Sequence, residues 1–179
     1  MKLTYFVHST SKDNEAGIRS GWSDVSLSEK GRAQALSLRH QYADMFFDAI
    51  FCSDLKRAVE TAKIVFSGRK VVLDSRLREM NYGVLNGCPN RQFPRDELKC
   101  IYTRYKSGEN CLDVEDRVRR FLEERILVSY NESIAIVSHQ YPHFALEVIC
   151  NNVTWKEAIL NDWRNGENWQ PGWHYSVHV

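Results

Sequence analysis

The sequence predicts an α/β domain of three layers, with helices on both faces of a mostly parallel sheet. Two observations carry that expectation. Short apolar runs at residues 3–7, 49–52 and 133–137 alternate with longer segments of helical periodicity. Each run also stops abruptly at polar residues: His8 after the first, Ser53-Asp54 after the second, Ser138-His139 after the last. In an open parallel sheet such strand ends share one edge, where ligands are held. A chain of 179 residues suits one domain, spanning 1–179, and buries enough surface to fold without a disulfide or a metal.

Taken in order, residues 3–7 form the first strand and open into a loop of hydroxyl and Asx residues, Ser9 to Asn14. Ser26 or Ser28 caps a helix reaching about Phe46, with Ala33, Leu36, Leu38, Tyr42, Ala43 and Phe46 as its periodic positions. Residues 49–52 are a second strand. A second helix runs from Leu55 to about Phe66, with Ala58, Ala62 and Val65 on one face. Residues 70–73 are a third strand, and Gly83, Gly87 and Pro89 mark a loop-rich region. A helix is expected between Gln92 and Lys106, broken by Gly108. The apolar stripe from Leu112 to Ile126 is strongly helical, residues 133–137 are a clear strand, and residues 144–150 continue as a helix. A further helix is expected over 155–163, and the alternation at 176–179 suits an edge strand.

The balance of 24 basic and 23 acidic residues gives a net charge of +1, which offers no general attraction to nucleic acid or to a membrane. No apolar run approaches a bilayer span, and the start shows no signal region, so a cytoplasmic location is expected. The five cysteines (52, 88, 100, 111 and 150) form no CxxC pair, the usage of a reducing compartment, and a zinc site is not expected. They read as small core residues without assigned reactivity.

The strand ends bring His8, Arg57 and His139 toward one place, with Glu79 and Glu109 expected as nearby acids. Arg57 is an always-charged planar donor suited to phosphate or carboxylate. Two histidines beside an arginine, with no third ligand of the right kind, make an anion pocket rather than a metal site.

Six ordered blocks now resemble the histidine phosphatase superfamily, the phosphoglycerate mutase-like proteins, over about residues 3–150. His8 matches the nucleophile position, Ser11 the hydroxyl and Asn14 the asparagine of the first block. Arg19, Gly21, Asp24, Leu27, Ser28, Gly31 and Gln34-Ala35 match the second. Residues 53–58 with Thr61-Ala62 match the block carrying a phosphate arginine, here Arg57. Leu77-Arg78-Glu79 matches the block of the proton donor, Gly108-Glu109 with Asp113 and Arg117 a further one, and residues 136–139 the second histidine. The resemblance implies a metal-independent phosphatase with no cofactor, acting on a small phosphorylated metabolite. His8 would attack phosphorus, Glu79 would protonate the leaving oxygen, and Arg57 and His139 would hold the phosphate, with Ser9, Ser11, Asn14, Arg19 and Gln140 also binding. A mutase, a phosphohistidine-protein phosphatase and a phospho-ligand-binding module without turnover are the competing readings.

The departures from the family pattern are specific. Val7 stands where the family has its first arginine, Ser9 for a glycine, Thr10 for an acid, and Gln140 for the glycine after the second histidine. Loss of one charged donor costs about 3 kcal/mol in a transition state, roughly a hundredfold to a thousandfold in rate. Lys12, Arg19 and Arg78, or the hydroxyls of Ser9, Thr10 and Ser11, are the candidate replacements. Glu109 and Asp113 read as structural groups capping the next helix. His40 reads as exposed, His178 as terminal, and His143 as a pocket neighbour without a catalytic role. Trp155, Trp163, Trp169, Trp173 and Tyr175 read as a plug over one end of the sheet, or as a roof on the pocket with Arg164 as a second charge.

Overall fold

The first strand, β1 (Lys2–Val7), is buried from Leu3 onward, which is why it reads as an apolar run broken only by Thr4. The computed structural model describes residues 1–93, 97–128, 132–165 and 172–177. After β1 a five-residue helix, α1 (Lys12–Ala16), forms because Ser11 and Asn14 make a reciprocal capping box and Gly17 ends it at φ 67°. Next come β2 (Ile18–Arg19) and α2 (Glu29–Tyr42), which starts at an N-cap from Ser28. β3 (Ala49–Cys52) leads to α3 (Lys56–Val65) and then β4 (Val72–Leu73). β5 (Cys88–Pro89) pairs with β2 in a small separate ladder. The longest helix is α4 (Cys111–Val128), followed by β6 (Ser133–Ser138) and α5 (Gln140–Asn151). α6 (Trp155–Leu160) and β7 (Trp173–Ser176) complete the set.

The main sheet runs β4-β3-β6-β1-β7, with all pairs parallel except β1 with β7. Strand alternation divides the core in two. Leu3, Tyr5, Val7, Ile134 and Ile136 pack toward α4 and α5 with Phe121, Leu122 and Phe144. Phe6, Ile50, Ala135 and Val137 face α2 and α3 with Leu38, Ala58 and Ala62. Helices therefore cover both faces, the three-layer arrangement expected from the sequence.

Several local expectations change. The buried face of α2 is Gly31, Ala35 and Leu38, while Leu36 is 48% and Phe46 75% exposed, and the helix ends at Tyr42. The third strand shrinks to two residues, β4. In place of a helix over 92–106 the described residues form 3₁₀ turns at Asn90–Gln92 and Glu97–Ile101. Ser107 turns the chain just beyond that run at φ 58°. The helix expected over 155–163 stops at Leu160 and gives way to a 3₁₀ turn at Trp163–Asn165. The edge strand lies earlier than expected, and Trp169, His178 and Val179 fall outside the described residues. His40 is exposed as expected.

The loop after His8 is pinned from behind. Ser28 N–H donates to the Thr10 carbonyl at 3.0 Å, and Thr10 N–H donates to Gln34 Oε1 at 3.0 Å. Gly31 lets α2 come this close: a Cβ there would lie 1.9 Å from the Thr10 oxygen. Backbone cannot yield as a side chain can, so Gly31→Ala is expected to cost about 1–3 kcal/mol by overpacking. Urea unfolding midpoints of the two proteins check this.

Candidate active site

His8 sits at the carboxyl end of β1, half-buried, its backbone N–H bonded to the Ser138 carbonyl of β6 at 2.9 Å. Its Nδ1 lies 2.7 Å from the Ser9 carbonyl, an acceptor only, so Nδ1 carries the proton and Nε2 keeps its lone pair. Arg57 Nε–H donates to that Nε2 at 3.3 Å. Burial, then the Arg57 charge, pushes the imidazole pKa down to about 3. His8 is thus neutral near pH 7, with a nucleophilic nitrogen facing a guanidinium.

Arg57 is 2% exposed and stands on the first turn of α3. Its Nη1 donates to the Ser23 carbonyl at 3.1 Å and its Nη2 to the Gly21 carbonyl at 2.8 Å. Gly21 presents that carbonyl at φ 51°, where a Cβ would fall 2.0 Å from Asn86 Oδ1. Burial lowers the Arg57 pKa from its ordinary value, and the nearby charges of Glu79, Asp13 and Asp24 oppose that shift. Neutral carbonyls fix the side chain without cancelling its charge, which leaves the field for an anion. Asp24 accepts the Lys56 N–H at 2.7 Å and so satisfies the start of α3.

His139 is fully buried, and its ring lies 5.1 Å from that of His8. Nε2 is 2.8 Å from Ser53 Oγ, and Nδ1 has no partner among the described residues. Tyr5 fixes the backbone here: its hydroxyl donates to the His139 carbonyl at 2.6 Å and accepts from the His139 N–H at 3.1 Å. Burial, then Arg57 and His8, holds the His139 pKa well below its ordinary value.

Glu79 places its carboxylate at the N-terminus of α5. Tyr141 N–H donates to Oε1 at 3.1 Å, Gln140 N–H to Oε2 at 3.2 Å, and Met80 N–H to Oε1 at 2.9 Å. Behind it, the Glu79 carbonyl accepts from Trp22 Nε1 at 2.7 Å and from Arg117 Nη2 at 3.0 Å. Arg117 is itself anchored on Glu109 at 3.0 Å, and Glu109 accepts the Asn81 N–H at 2.8 Å. Glu109 therefore braces the Glu79 segment rather than capping a helix, whereas Asp113 does cap, pairing with Asn110.

His8, Arg57 and Glu79 meet at a cavity of about 520 Å³, and His139 lies behind His8, outside its lining. Val7, His8, Arg57 and Glu79 line it, as do Asn14, Arg19 and Gln140. The remaining expected binders stand outside the lining. Ser11 uses its hydroxyl to cap α1, exchanging bonds with Asn14. Ser9 is fully buried, with its carbonyl on His8 and its hydroxyl unpartnered among the described residues. Of the candidates for the vacated arginine, Arg78 makes a bidentate pair with Asp54 at 2.7 and 2.6 Å, and Lys12 does not line the cavity. Arg19 does line it and stacks on Phe93 at 4.7 Å. Arg164 and Trp163 also line it, the roofing arrangement for those two. Asp162 holds both Gln140 and Arg164, at 2.7 and 2.8 Å. Nothing local in the sequence marks Asp162, because its role comes from tertiary pairing.

A model of the histidine phosphatase superfamily, branch 1, matches residues 6–164. The chain belongs to that superfamily. It is 30% identical over 156 residues to phosphoserine phosphatase 1 of Hydrogenobacter thermophilus, covering 82% of this chain and 74% of the relative. It is 38% identical over 94 residues to a 2,3-bisphosphoglycerate-dependent phosphoglycerate mutase of Streptococcus agalactiae, covering 49% and 41% respectively. The structure is similar to mycobacterial glucosyl-3-phosphoglycerate phosphatase, with a TM-score of 0.78, 25% identity, and coverage of 88% and 82%. The superfamily relatives thus include phosphatases and mutases of small phosphorylated compounds. No helix among the described residues is long and apolar enough to cross a membrane.

Neutral buried histidines link this site to acid stability. His8, His139 and His143 all have lowered pKa values, about 3 for His8 and about 4 for His143. The unfolded chain protonates them near pH 6.5 and the folded chain does not. Stability is therefore unaffected by them above about pH 6.5 and falls as pH drops from there toward 4. Urea unfolding at a series of pH values should show about three extra protons taken up on unfolding near pH 5.

Proposed function

We propose that this chain is a metal-independent phosphatase that hydrolyses a small phosphate monoester through a phosphohistidine on His8. The observation that carries the reading is the His8 Nε2 lone pair facing the Arg57 guanidinium on the floor of an open cavity. In the first step Nε2 attacks phosphorus in line, the ester P–O bond breaks, and the leaving alkoxide takes a proton from the Glu79 carboxyl. In the second, water attacks the phosphohistidine, the P–N bond breaks, and the water proton returns to Glu79 as inorganic phosphate leaves.

Each group supports its role by what surrounds it. The neutral imidazole keeps its lone pair across the physiological range. Arg57 is preorganised by two backbone carbonyls, so it needs no reorganisation when charge develops on the phosphoryl oxygens. If Ser53 donates its hydroxyl proton to His139 Nε2, the unpartnered Nδ1–H of His139 is the donor left for an oxyanion. Arg19 and Arg164, with Asn14 and Gln140, stand where the rest of a polar substrate would lie.

Hydrolysis of p-nitrophenyl phosphate at mildly acidic pH is the direct test. His8→Ala is expected to lower kcat/KM by roughly a thousandfold or more, and Arg57→Ala by roughly a hundredfold to a thousandfold. Phosphate binding without turnover in the unaltered chain would instead make it a phospho-ligand-binding relative. A requirement for a bisphosphate would make it a mutase.

Val7 provides a second, sharper test. It is 6% exposed and lines the cavity, so a longer side chain there can reach the anion. Val7→Arg is expected to raise kcat by about tenfold or more through the added charged donor. An unchanged rate would mean that the position no longer faces the transferring phosphoryl group.

A further inference from the structure

Between α5, α6 and β7 lies a second cavity, of about 290 Å³. The rings of His143, Phe144, Trp163 and Trp173 form its wall, and Glu147 and Glu157 bring carboxylates to it. Among the described residues that line it there is no lysine or arginine. The ring centroids of His143 and Trp173 are 4.2 Å apart, and those of Trp163 and Trp173 are 5.7 Å apart.

The decisive group is His143, which is 5% exposed. Neither of its ring nitrogens has a hydrogen-bond partner among the described residues. Nε2 stands 3.6 Å from Glu147 Oε1, beyond hydrogen-bond reach. A buried polar ring without partners destabilises the fold unless something else completes it. Burial lowers the His143 pKa to about 4, against the opposing pull of Glu147 and Asp162, so the ring is neutral near pH 7 and has one lone-pair nitrogen to offer. The lining as a whole is then aromatic and negative. That combination favours a cation: indole faces attract positive charge, and the carboxylates complement it. Glu147 also accepts the Tyr175 hydroxyl and the Asn151 amide, which hold its carboxylate in place.

We propose that this cavity binds a small alkylammonium ion. Its N–H donors bond the Glu147 carboxylate and the lone-pair nitrogen of the His143 ring, and its alkyl chain lies on Trp163 and Trp173. Trp163 also lines the candidate active site, so a ligand seated here bears on a wall common to both cavities.

The test titrates the intact chain with butylammonium chloride, following tryptophan fluorescence and calorimetric heat at constant ionic strength. Butan-1-ol and tetramethylammonium chloride serve as the comparison probes. Saturable binding of butylammonium is expected, at least about tenfold tighter than butan-1-ol, which lacks the charge, and than tetramethylammonium, which lacks N–H donors. His143→Gln and, separately, Trp173→Leu should each weaken butylammonium binding by about fivefold or more while circular dichroism stays unchanged. If either variant unfolds, the shift of the His143 ring resonances on titration of the unaltered chain decides the question. Equal affinity for butylammonium and butan-1-ol, equal affinity for tetramethylammonium, or no saturation with butylammonium would each overturn the proposal. So would unmoved His143 resonances.

Discussion

The site depends on a positive charge that is buried without being neutralised. Arg57 sits almost out of contact with solvent, and two backbone carbonyls and a neutral imidazole take its donors. A carboxylate in those places would satisfy the guanidinium and remove its use for an anion. Carbonyl dipoles hold its geometry and leave most of the charge to act outward in a region of low dielectric. Much of the surrounding architecture serves this one arrangement. Gly21 adopts a left-handed turn to aim its carbonyl, and Asp24 completes the exposed start of α3, so the helix that carries Arg57 begins where it must.

A second clamp positions the opposite wall. The carboxylate of Glu79 takes two N–H groups from the first turn of α5, whose preceding residue is His139. The second histidine and the acid are therefore parts of one unit, tied to β1 by the Tyr5 hydroxyl and from behind by Arg117 and Glu109. Arg117 is nearly buried and spreads its donors over a carboxylate and two carbonyls. Such a node is costly to alter, because removing either charge leaves the other buried and alone.

Much of this was legible in the sequence, for physical reasons that also explain the gaps. Strands buried on both faces leave continuous apolar runs, so β1, β3 and β6 could be placed within a residue, and with them the edge where His8, Arg57 and His139 converge. Short elements stabilised by single side chains left no such trace: α1 rests on one capping box and the β2–β5 ladder on two residue pairs. Ser11 and Asn14 show the same limit, since a hydroxyl beside an amide suits a helix cap and a ligand equally well until the backbone is seen. The helical stripe assigned to α2 was displaced because Leu36 and Phe46 are apolar yet exposed, whereas Gly31 is small and buried. Asp162 holds Gln140 only through tertiary contact, which no local pattern encodes, whereas Arg164 was already a candidate second charge.

The strand that carries His8 has a further consequence for assembly. β1 precedes both its neighbours by a long stretch of chain, since β6 and β7 come from the last third of the described residues. Until β6 leaves the ribosome, the strand that carries His8 has no partner and both its edges remain open for pairing. Contacts so distant along the chain form slowly, because the loop between them must close first. The edge that holds His8 is thus among the last features to mature, and during that interval the nascent chain presents an apolar strand that chaperones can shield.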